Sequence, residues 1–274
     1  MDISNIGLID DDDLLLDLAA LALSLEDHGD LALDRYLEVL NEIEEQVCEE
    51  GRNAFSNSQR AAALGRVLHG DLGFSGDAET YDAPVNADFV RVLERRKGLP
   101  ISLAILYVAM ARRAGWIADV LDVPGHVIVM VGEKDPALID PFCQGVSVSR
   151  DELAAICRAY LGDAGDAAAS RVTPMSNRQI LFRLLNNQAI RAEQEGDKLR
   201  AATIYQRMTK AVPEEQHAWH QLARLCHSLG DVEGARENLV ALLELTRDAA
   251  SRSGIATAIA SLGKAKPDSS TAST

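Results

Sequence analysis

The sequence predicts a mostly helical α+β protein, with a small antiparallel sheet packed on one buried helix and helical repeats after it. The run from Leu99 to Ala111 has no polar face beyond Ser102, and it is too short to span a bilayer. Residues 118–140 then contain strand-length segments rich in β-branched residues. Further on, Gly196-Asp197 recurs as Gly230-Asp231, and this offset of 34 residues is typical of helix-turn-helix repeats.

The composition excludes several classes of protein. The net charge of −15 argues against non-specific binding to nucleic acid or to an anionic membrane, so neither partner is expected. No secretory signal is expected from the N-terminal pattern, and the four cysteines show no CxxC spacing, which favours reduced thiols in a cytoplasmic protein. The histidines are scattered without metal-ligand spacing, so no metal or other cofactor is expected.

Three amphipathic helices are predicted before the buried helix and are expected to wrap it. They run from about residue 12 to 25, from 31 to 49 and from 56 to 68. The first nine residues are expected to be loose, and Asp10 to Asp13 to cap the first helix. Residues 70–88 lack periodicity and should form a long ordered loop before a short helix at Ala87–Glu94.

Pro100 is predicted to open the buried helix and Gly115 to end it. Proline suits the first helical turn, where its missing N–H costs nothing, and glycine suits the left-handed residue after a helix. The basic triplet Arg95-Arg96-Lys97 precedes this helix. It is predicted to form either a solvated corner or an anion site at the helix N-terminus.

A β-hairpin is predicted to bring a histidine next to a carboxylate. If the turn between the second and third strands is centred on Glu133, His126 and Asp140 stand directly opposite each other, with Cβ atoms about 4.5–5.5 Å apart. A carboxylate at that distance can hold an imidazole in one tautomer, as in a catalytic triad. The alternative is that the pair only fixes the hairpin.

Short motifs surround the buried helix in a fixed order. They are Gly73-Phe74-Ser75-Gly76, then Tyr81, Pro84 and Asn86, then Arg95 to Leu103, and Pro124-Gly125-His126; Gly98, Ala104, Leu106, Arg112 and Gly115 are spaced along the helix region. From Phe74 to Phe142 the chain resembles the transglutaminase-like branch of the papain-like fold, and within it the bacterial SirB-type proteins. The resemblance implies a triad of a Cys at the start of the helix with His126 and Asp140.

The chain departs from that family pattern at the nucleophile, because the Cys position falls on Pro100. Two other residues, Ser102 and Cys143, are candidates for a displaced nucleophile. Ser102 lies about 200° further around the helix, so it is expected to face elsewhere and bond its own backbone. Cys143 follows Asp140 by three residues and would need a lowered pKa, the alternative being a small buried thiol.

The C-terminal part resembles tetratricopeptide repeats over residues 182–249. Ala201 recurs as Ala235, and Trp219 matches the start of the second unit. Ser149 and Glu152 form a predicted capping box before this part. The predicted divisions are an N-terminal helical segment that packs on the core (1–69), a transglutaminase-like core (70–165), a linker (166–175), tetratricopeptide-like repeats (176–263) and a disordered tail (264–274).

Three functions are consistent with these patterns. The preferred one is a non-catalytic transglutaminase-like domain joined to a module that binds a protein or peptide partner. The predicted binding residues are Asn86, Arg95, Arg96, Lys97 and Trp219. The second is a hydrolase or acyltransferase in which His126 is the base, Asp140 orients it, and Cys143 or Ser102 attacks. The third is an assembly protein whose repeats form a homodimer.

Overall fold

The computed structural model describes residues 3–29 and 31–262, and most of these residues are helical. The α-helices are α1 (Ile3–Ile6), α2 (Leu16–Leu25), α3 (Leu33–Glu50), α4 (Asn57–Gly65), α5 (Phe89–Arg95), α6 (Pro100–Arg113), α7 (Arg150–Leu161), α8 (Gly165–Ala169), α9 (Asn177–Gln194), α10 (Lys198–Ala211), α11 (Gln216–Ser228), α12 (Val232–Leu245) and α13 (Ala249–Leu262). A π-helical segment over Arg66–Asp71 continues α4. The prediction of a mostly helical protein is confirmed.

The strands form two small sheets. Their bounds are β1 (Ser75–Gly76), β2 (Lys97–Gly98), β3 (Ala118–Val123), β4 (His126–Val131), β5 (Ala137–Asp140) and β6 (Val146–Val148). The first two strands pair in parallel, and the other four form an antiparallel sheet in the order β3-β4-β5-β6. The first three strands of this antiparallel sheet were predicted. The fourth was not, because three residues are too few to show a period.

Helix α6 lies at the centre of the fold. Every residue from Ile101 to Ala111 is buried, Pro100 occupies the first turn, and Gly115 has a left-handed φ of 76°. The helix contacts α2, α3 and α4 as well as strands β3 and β4. Burying one large aliphatic side chain contributes about 1.5–3 kcal/mol, so a helix apolar all round is most stable where elements surround it.

Residues 3–6 are more ordered than the sequence predicts. The first nine residues were expected to be loose, but Ile3–Ile6 forms α1, and both isoleucines are buried. Helix α1 packs against α10 and α2. A single turn carries no periodic signal of its own, and it is stabilised by the surfaces on which it packs.

The acidic cluster caps a different helix from the one predicted. Helix α2 begins without a side-chain cap, whereas the Asp11 carboxylate accepts hydrogen bonds from the N–H groups of Asn177 at 2.9 Å and Arg178 at 2.8 Å. These N–H groups begin α9, where they have no partner within the helix. The carboxylate also complements the positive end of the α9 dipole.

The last helices pack as two antiparallel pairs. Asp197 caps α10 and Asp231 caps α12, each with φ and ψ near −80° and 80°, and each follows a glycine with positive φ. Ala201 and Ala235 are buried at equivalent positions. The 34-residue offset therefore corresponds to a repeated local structure at the start of α10 and α12.

Residues 166–175, predicted to be a linker, contain most of α8 and then run along the edge of β3. The Met175 N–H donates to the Val120 carbonyl at 2.8 Å, and Pro174 forms a bridge with Leu121. The capping box of Ser149 and Glu152 is present at the start of α7. The whole of the predicted tail, from residue 264 to 274, lies outside the described residues.

Candidate functional site

His126 and Asp140 are joined by a hydrogen bond at the end of the β4-β5 hairpin. The distance from His126 Nε2 to Asp140 Oδ2 is 2.6 Å. The predicted contact is confirmed, but the predicted register is wrong by one residue. The ladder pairs Val131 with Ala137, so the loop is centred on Lys134.

The corrected register makes the two residues diagonal neighbours on one face of the hairpin. When the turn centre shifts by one residue, the residue opposite His126 shifts by two positions along β5. Because side chains alternate between the two faces of a strand, Asp140 stays on the same face as His126. Diagonal side chains remain within reach when they are long enough. Gly132 and Asp135 both have positive φ, at 85° and 47°, and they allow the chain to form this longer loop.

Asp140 is held as a carboxylate. Its Oδ1 accepts the N–H groups of Phe142 at 2.9 Å and Cys143 at 3.0 Å. Burial raises the pKa of this carboxyl, but the hydrogen bonds from His126 and the Cys143 N–H outweigh burial, and the pKa lies below its ordinary value. An ionised Asp140 makes His126 Nε2 the donor, so Nδ1 is the ring nitrogen left for another partner.

The imidazole is accessible and the carboxylate is not. The His126 side chain is 22% exposed and that of Asp140 is 6% exposed. A partly exposed imidazole supported by a buried carboxylate is the arrangement of a base and its orienting group. The same contact also holds β4 and β5 together at the end of the hairpin away from its loop.

The start of α6 holds a proline and a buried serine. Pro100 occupies the position that the family resemblance assigns to the Cys, and a proline side chain has no atom that can attack a carbonyl. Ser102 is fully buried, and its hydroxyl donates towards the carbonyls of Asn86 at 2.7 Å and Leu99 at 3.1 Å. Ser102 thus bonds backbone, as expected from its position around the helix.

Cys143 lies beside Asp140 but in an environment that favours the thiol. Burial, together with the hydrogen bond and the charge of Asp140, raises the pKa of Cys143 to about 11. A nucleophilic cysteine needs the opposite, a positive neighbour that favours the thiolate. The displaced-nucleophile arrangement therefore lacks an activated thiol in this structure.

Two of the predicted binding residues belong to a polar network below the start of α6. Arg95 donates from Nη1 to Asn86 Oδ1 at 2.8 Å and from Nη2 to Asp77 Oδ2 at 3.0 Å. Hydrogen bonds from Thr80 hold the pKa of Asp77 well below its usual range. Burial of the carboxyl opposes this shift, and the hydrogen bond from Arg95 adds to it. The Asn86 carbonyl also accepts the Leu99 N–H, so this network positions the first turn of α6.

The other predicted binding residues lie on separate elements. Arg96 has a left-handed φ of 58° and donates to the Leu72 carbonyl at 2.8 Å. Lys97 is half-buried in β2, and Trp219, on α11, donates from Nε1 to the Pro213 carbonyl at 2.7 Å. The structure brings Cys143 to the His126 and Asp140 pair, and the binding role of the remaining residues stays a prediction.

Sequence reasoning missed Tyr107 and Arg183. The Tyr107 hydroxyl is fully buried under the site without a hydrogen-bond partner among the described residues, and burial and Asp140 raise its pKa. Arg183, on α9, pairs with Asp122 at 2.6 Å and lies 3.5 Å from the His126 carbonyl. Tyr107 was hidden in an apolar run, and Arg183 is far from His126 in sequence.

Neither a metal centre nor a membrane segment is found in the part of the chain that the structure describes. Over residues 3–29 and 31–262, no group of three His, Cys, Asp or Glu side chains is placed to hold a metal ion. Within the same ranges, no helix has the length and apolar character that crossing a bilayer requires.

Comparisons with known proteins show that the helix and the hairpin lie within a stretch that matches a known family. A family model described as the transglutaminase-like superfamily matches residues 34–186, which is more than half of the chain. A UPF0162 protein of Xylella fastidiosa is 32% identical over 246 residues, which cover 88% of each chain. A UPF0162 protein of Vibrio cholerae is 29% identical over 151 residues, or 53% of this chain and 55% of that protein. Human F-box only protein 21 is 28% identical over 148 residues, which cover 51% of this chain and 23% of that protein.

Proposed function

Since the chain belongs to the transglutaminase-like superfamily, with UPF0162 proteins as its relatives, we propose that its transglutaminase-like domain is non-catalytic and that the protein acts by binding a partner. The observation that carries the proposal is Pro100 at the start of α6, above an intact His126 and Asp140 pair. Without a side-chain nucleophile, a base and its orienting group cannot form the covalent acyl-enzyme through which such a triad transfers an acyl group. Removing one member of such a triad removes most of its catalysis.

The two side chains that could replace the nucleophile do not support an enzyme. The Ser102 hydroxyl is buried and bonded to backbone carbonyls. The Cys143 thiol has a raised pKa because burial and a carboxylate act on it. The pair then serves to hold the hairpin and to present a polar surface at its end.

We further propose that α9 to α12 form two tetratricopeptide-like repeats and that the domain is of the SirB type. The equivalent caps at Asp197 and Asp231 and the buried Ala201 and Ala235 support the repeats. Stacked helix pairs of this kind present a continuous surface to a protein or peptide. A cytoplasmic location is part of the proposal, and the four cysteines, all of them free thiols, support it.

Thiol labelling tests the absence of catalysis. Wild-type protein and His126→Ala would be treated with iodoacetamide, and the rate at each cysteine would be read by peptide mass spectrometry. Cys48 is also exposed and serves as the internal reference. We expect Cys143 to react no faster than Cys48, at a rate that His126→Ala does not change.

A parallel reaction with a fluorophosphonate probe covers Ser102. We expect no labelling of this residue, because its hydroxyl is buried. Fast, stoichiometric labelling of Cys143 or Ser102 that is lost in His126→Ala would overturn the proposal and establish a displaced nucleophile.

A further inference from the structure

We propose that a groove between the end of the β3-β4 hairpin and α9 receives a positively charged, extended segment of a partner protein and places it beside His126. The inference rests on the proposed binding function and specifies the surface and the charge of the partner. The groove has a volume of about 430 Å³. It is lined by Asp122, the segment Thr173 to Met175, Gln179, Phe182, Arg183, Asn186 and Glu215.

One face of α9 forms the floor of the groove. Gln179, Phe182, Arg183 and Asn186 have the spacing i, i+3, i+4 and i+7, which places them on one side of a helix. Three leucines lie on the opposite side of α9 and are buried: Leu181, Leu184 and Leu185. Helix α9 therefore packs on the core with one face and leaves a mixed polar and aromatic face for a guest.

Arg183 connects the groove to the candidate site. Its guanidinium pairs with Asp122, the penultimate residue of β3. The same guanidinium lies 3.5 Å from the His126 carbonyl. A chain lying along α9 would therefore pass the first residue of β4. The repeats and the transglutaminase-like domain then contribute to one composite surface.

A guest cannot bind here as an added β-strand. The edge of β3 is already occupied, because the Met175 N–H donates to Val120 and the Asp122 N–H approaches the Thr173 carbonyl. Contacts must therefore come from the side chains of α9 and from the residues at the groove rim. Amide and aromatic groups of this kind suit an extended peptide, whose backbone offers both donors and acceptors.

Asn186 lines the groove and holds an unsatisfied acceptor just below the groove surface. Its Oδ1 is buried and has no hydrogen-bond partner among the described residues. A buried polar atom without a partner is costly, so a guest that draws the Asn186 amide towards the groove and supplies a donor relieves that cost. A backbone N–H of an extended segment is the simplest such donor.

The charges of the groove favour a cationic guest. Asp122 and Glu215 are carboxylates, and Asp122 neutralises Arg183, the one basic side chain among the described residues that line the groove. The Asp122 side chain is 65% exposed and can contact a guest as well. The chain as a whole carries a net charge of −15, which steers basic segments towards it.

The test uses a fluorescent peptide of about ten residues that alternates Lys with Ser, long enough in extended form to cross the groove. Binding to the full chain would be followed by fluorescence anisotropy at low salt, with a Glu-Ser peptide as the charge control. We expect saturable binding of the Lys peptide alone. The double variant Asp122→Asn and Glu215→Gln should weaken it at least about tenfold, and Asn186→Leu several-fold.

A matched double variant, Glu42→Gln with Glu45→Gln, removes the same charge from an acidic face of α3 outside the groove. We expect it to change the affinity less than about twofold. A benzophenone on the peptide should cross-link to α9, as read by mass spectrometry. Circular dichroism would verify that each variant is folded.

The groove proposal is overturned if the Lys peptide does not bind saturably, if the two double variants weaken binding equally, or if the cross-links map to α3. Any of these results leaves the labelling result on Cys143 and Ser102 unaffected. Conversely, His126-dependent labelling would remove the proposed non-catalytic function without changing where the peptide binds. The two failures are therefore distinguishable.

Discussion

Asp140 Oδ2 accepts the His126 Nε2–H at 2.6 Å from a diagonal position across the hairpin. The loop over residues 132–136 sets this offset, because it closes on the pair Val131 and Ala137. The diagonal contact leaves Asp140 Oδ1 free to accept two backbone N–H groups after β5. The Asp140 carboxylate therefore orients the His126 imidazole and also stabilises the turn of the backbone at Phe142 and Cys143.

Replacing this carboxylate should cost stability at neutral pH. We expect Asp140→Asn to lower the free energy of unfolding by about 1–2 kcal/mol, since hydrogen bonds to a charged group are lost. The folded pKa of Asp140 lies below its ordinary value of 3.8, so the stabilisation is present above that pH and is lost as the pH falls below it. Urea unfolding of both proteins at pH 7 and pH 3 checks this. An equal difference at both pH values would contradict it.

A second carboxylate ties α10 to the turn after α2. Asp27 accepts hydrogen bonds from Arg200 and Arg207, and although burial raises its pKa, the two guanidinium groups lower it to about 2. We expect Asp27→Asn to cost about 2 kcal/mol at pH 7. The cost should shrink as the pH falls from 3.8 towards 2, because the wild-type carboxylate becomes protonated there.

The exposed pair of Arg158 and Asp166 provides the control for Asp27. The Asp166 side chain is 67% exposed, so Asp166→Asn should change the free energy of unfolding by less than about 0.5 kcal/mol. Thermal or urea unfolding over a pH series measures both variants. The reasoning is wrong if the two substitutions cost the same at pH 7.

Gly145 is required where the chain turns over α6. It has a φ of 67°, and a Cβ there would lie 2.6 Å from the Tyr107 hydroxyl and 3.0 Å from Gly65 Cα. We expect Gly145→Ala to cost about 2–4 kcal/mol, the sum of backbone strain and overpacking. Gly73→Ala is the control, since Gly73 has a φ of 76° but open space around it. Gly73→Ala should lower the free energy of unfolding by about 1 kcal/mol. If urea unfolding shows the same loss for Gly73→Ala and Gly145→Ala, overpacking against Tyr107 is excluded.

The Tyr107 hydroxyl should be dispensable for stability. It is buried without a hydrogen-bond partner among the described residues, so Tyr107→Phe removes an unsatisfied polar group and should be neutral or stabilising by up to about 1 kcal/mol. Tyr36→Phe is the matched control, because the Tyr36 hydroxyl donates to Glu94 at 2.8 Å. It should cost about 1–2 kcal/mol. A loss at Tyr107 as large as that at Tyr36 would indicate a bridging partner under Asp140.

Local sequence signals were sufficient for the elements that position the site. The apolar run between Pro100 and Gly115 predicted α6, and the β-branched segments predicted three strands of the antiparallel sheet. The hairpin also brought His126 and Asp140 together as expected. The predicted register of the hairpin was wrong by one residue. The loop length is set by two residues with positive φ, Gly132 and Asp135, and a positive φ is not expected at Asp135 because it is not a glycine.

The sequence by itself determined the buried helix and the strands, because each depends on the identity and spacing of neighbouring residues. Its resemblance to the transglutaminase-like family assigned Pro100 to the nucleophile position. Only the tertiary structure decided which distant groups meet. Asp11 caps α9 rather than its own helix, Arg95 turns inward to Asp77, and Arg183 reaches the His126 strand. These contacts form because buried or terminal polar groups must find partners wherever packing brings them together, and sequence periodicity carries no record of that.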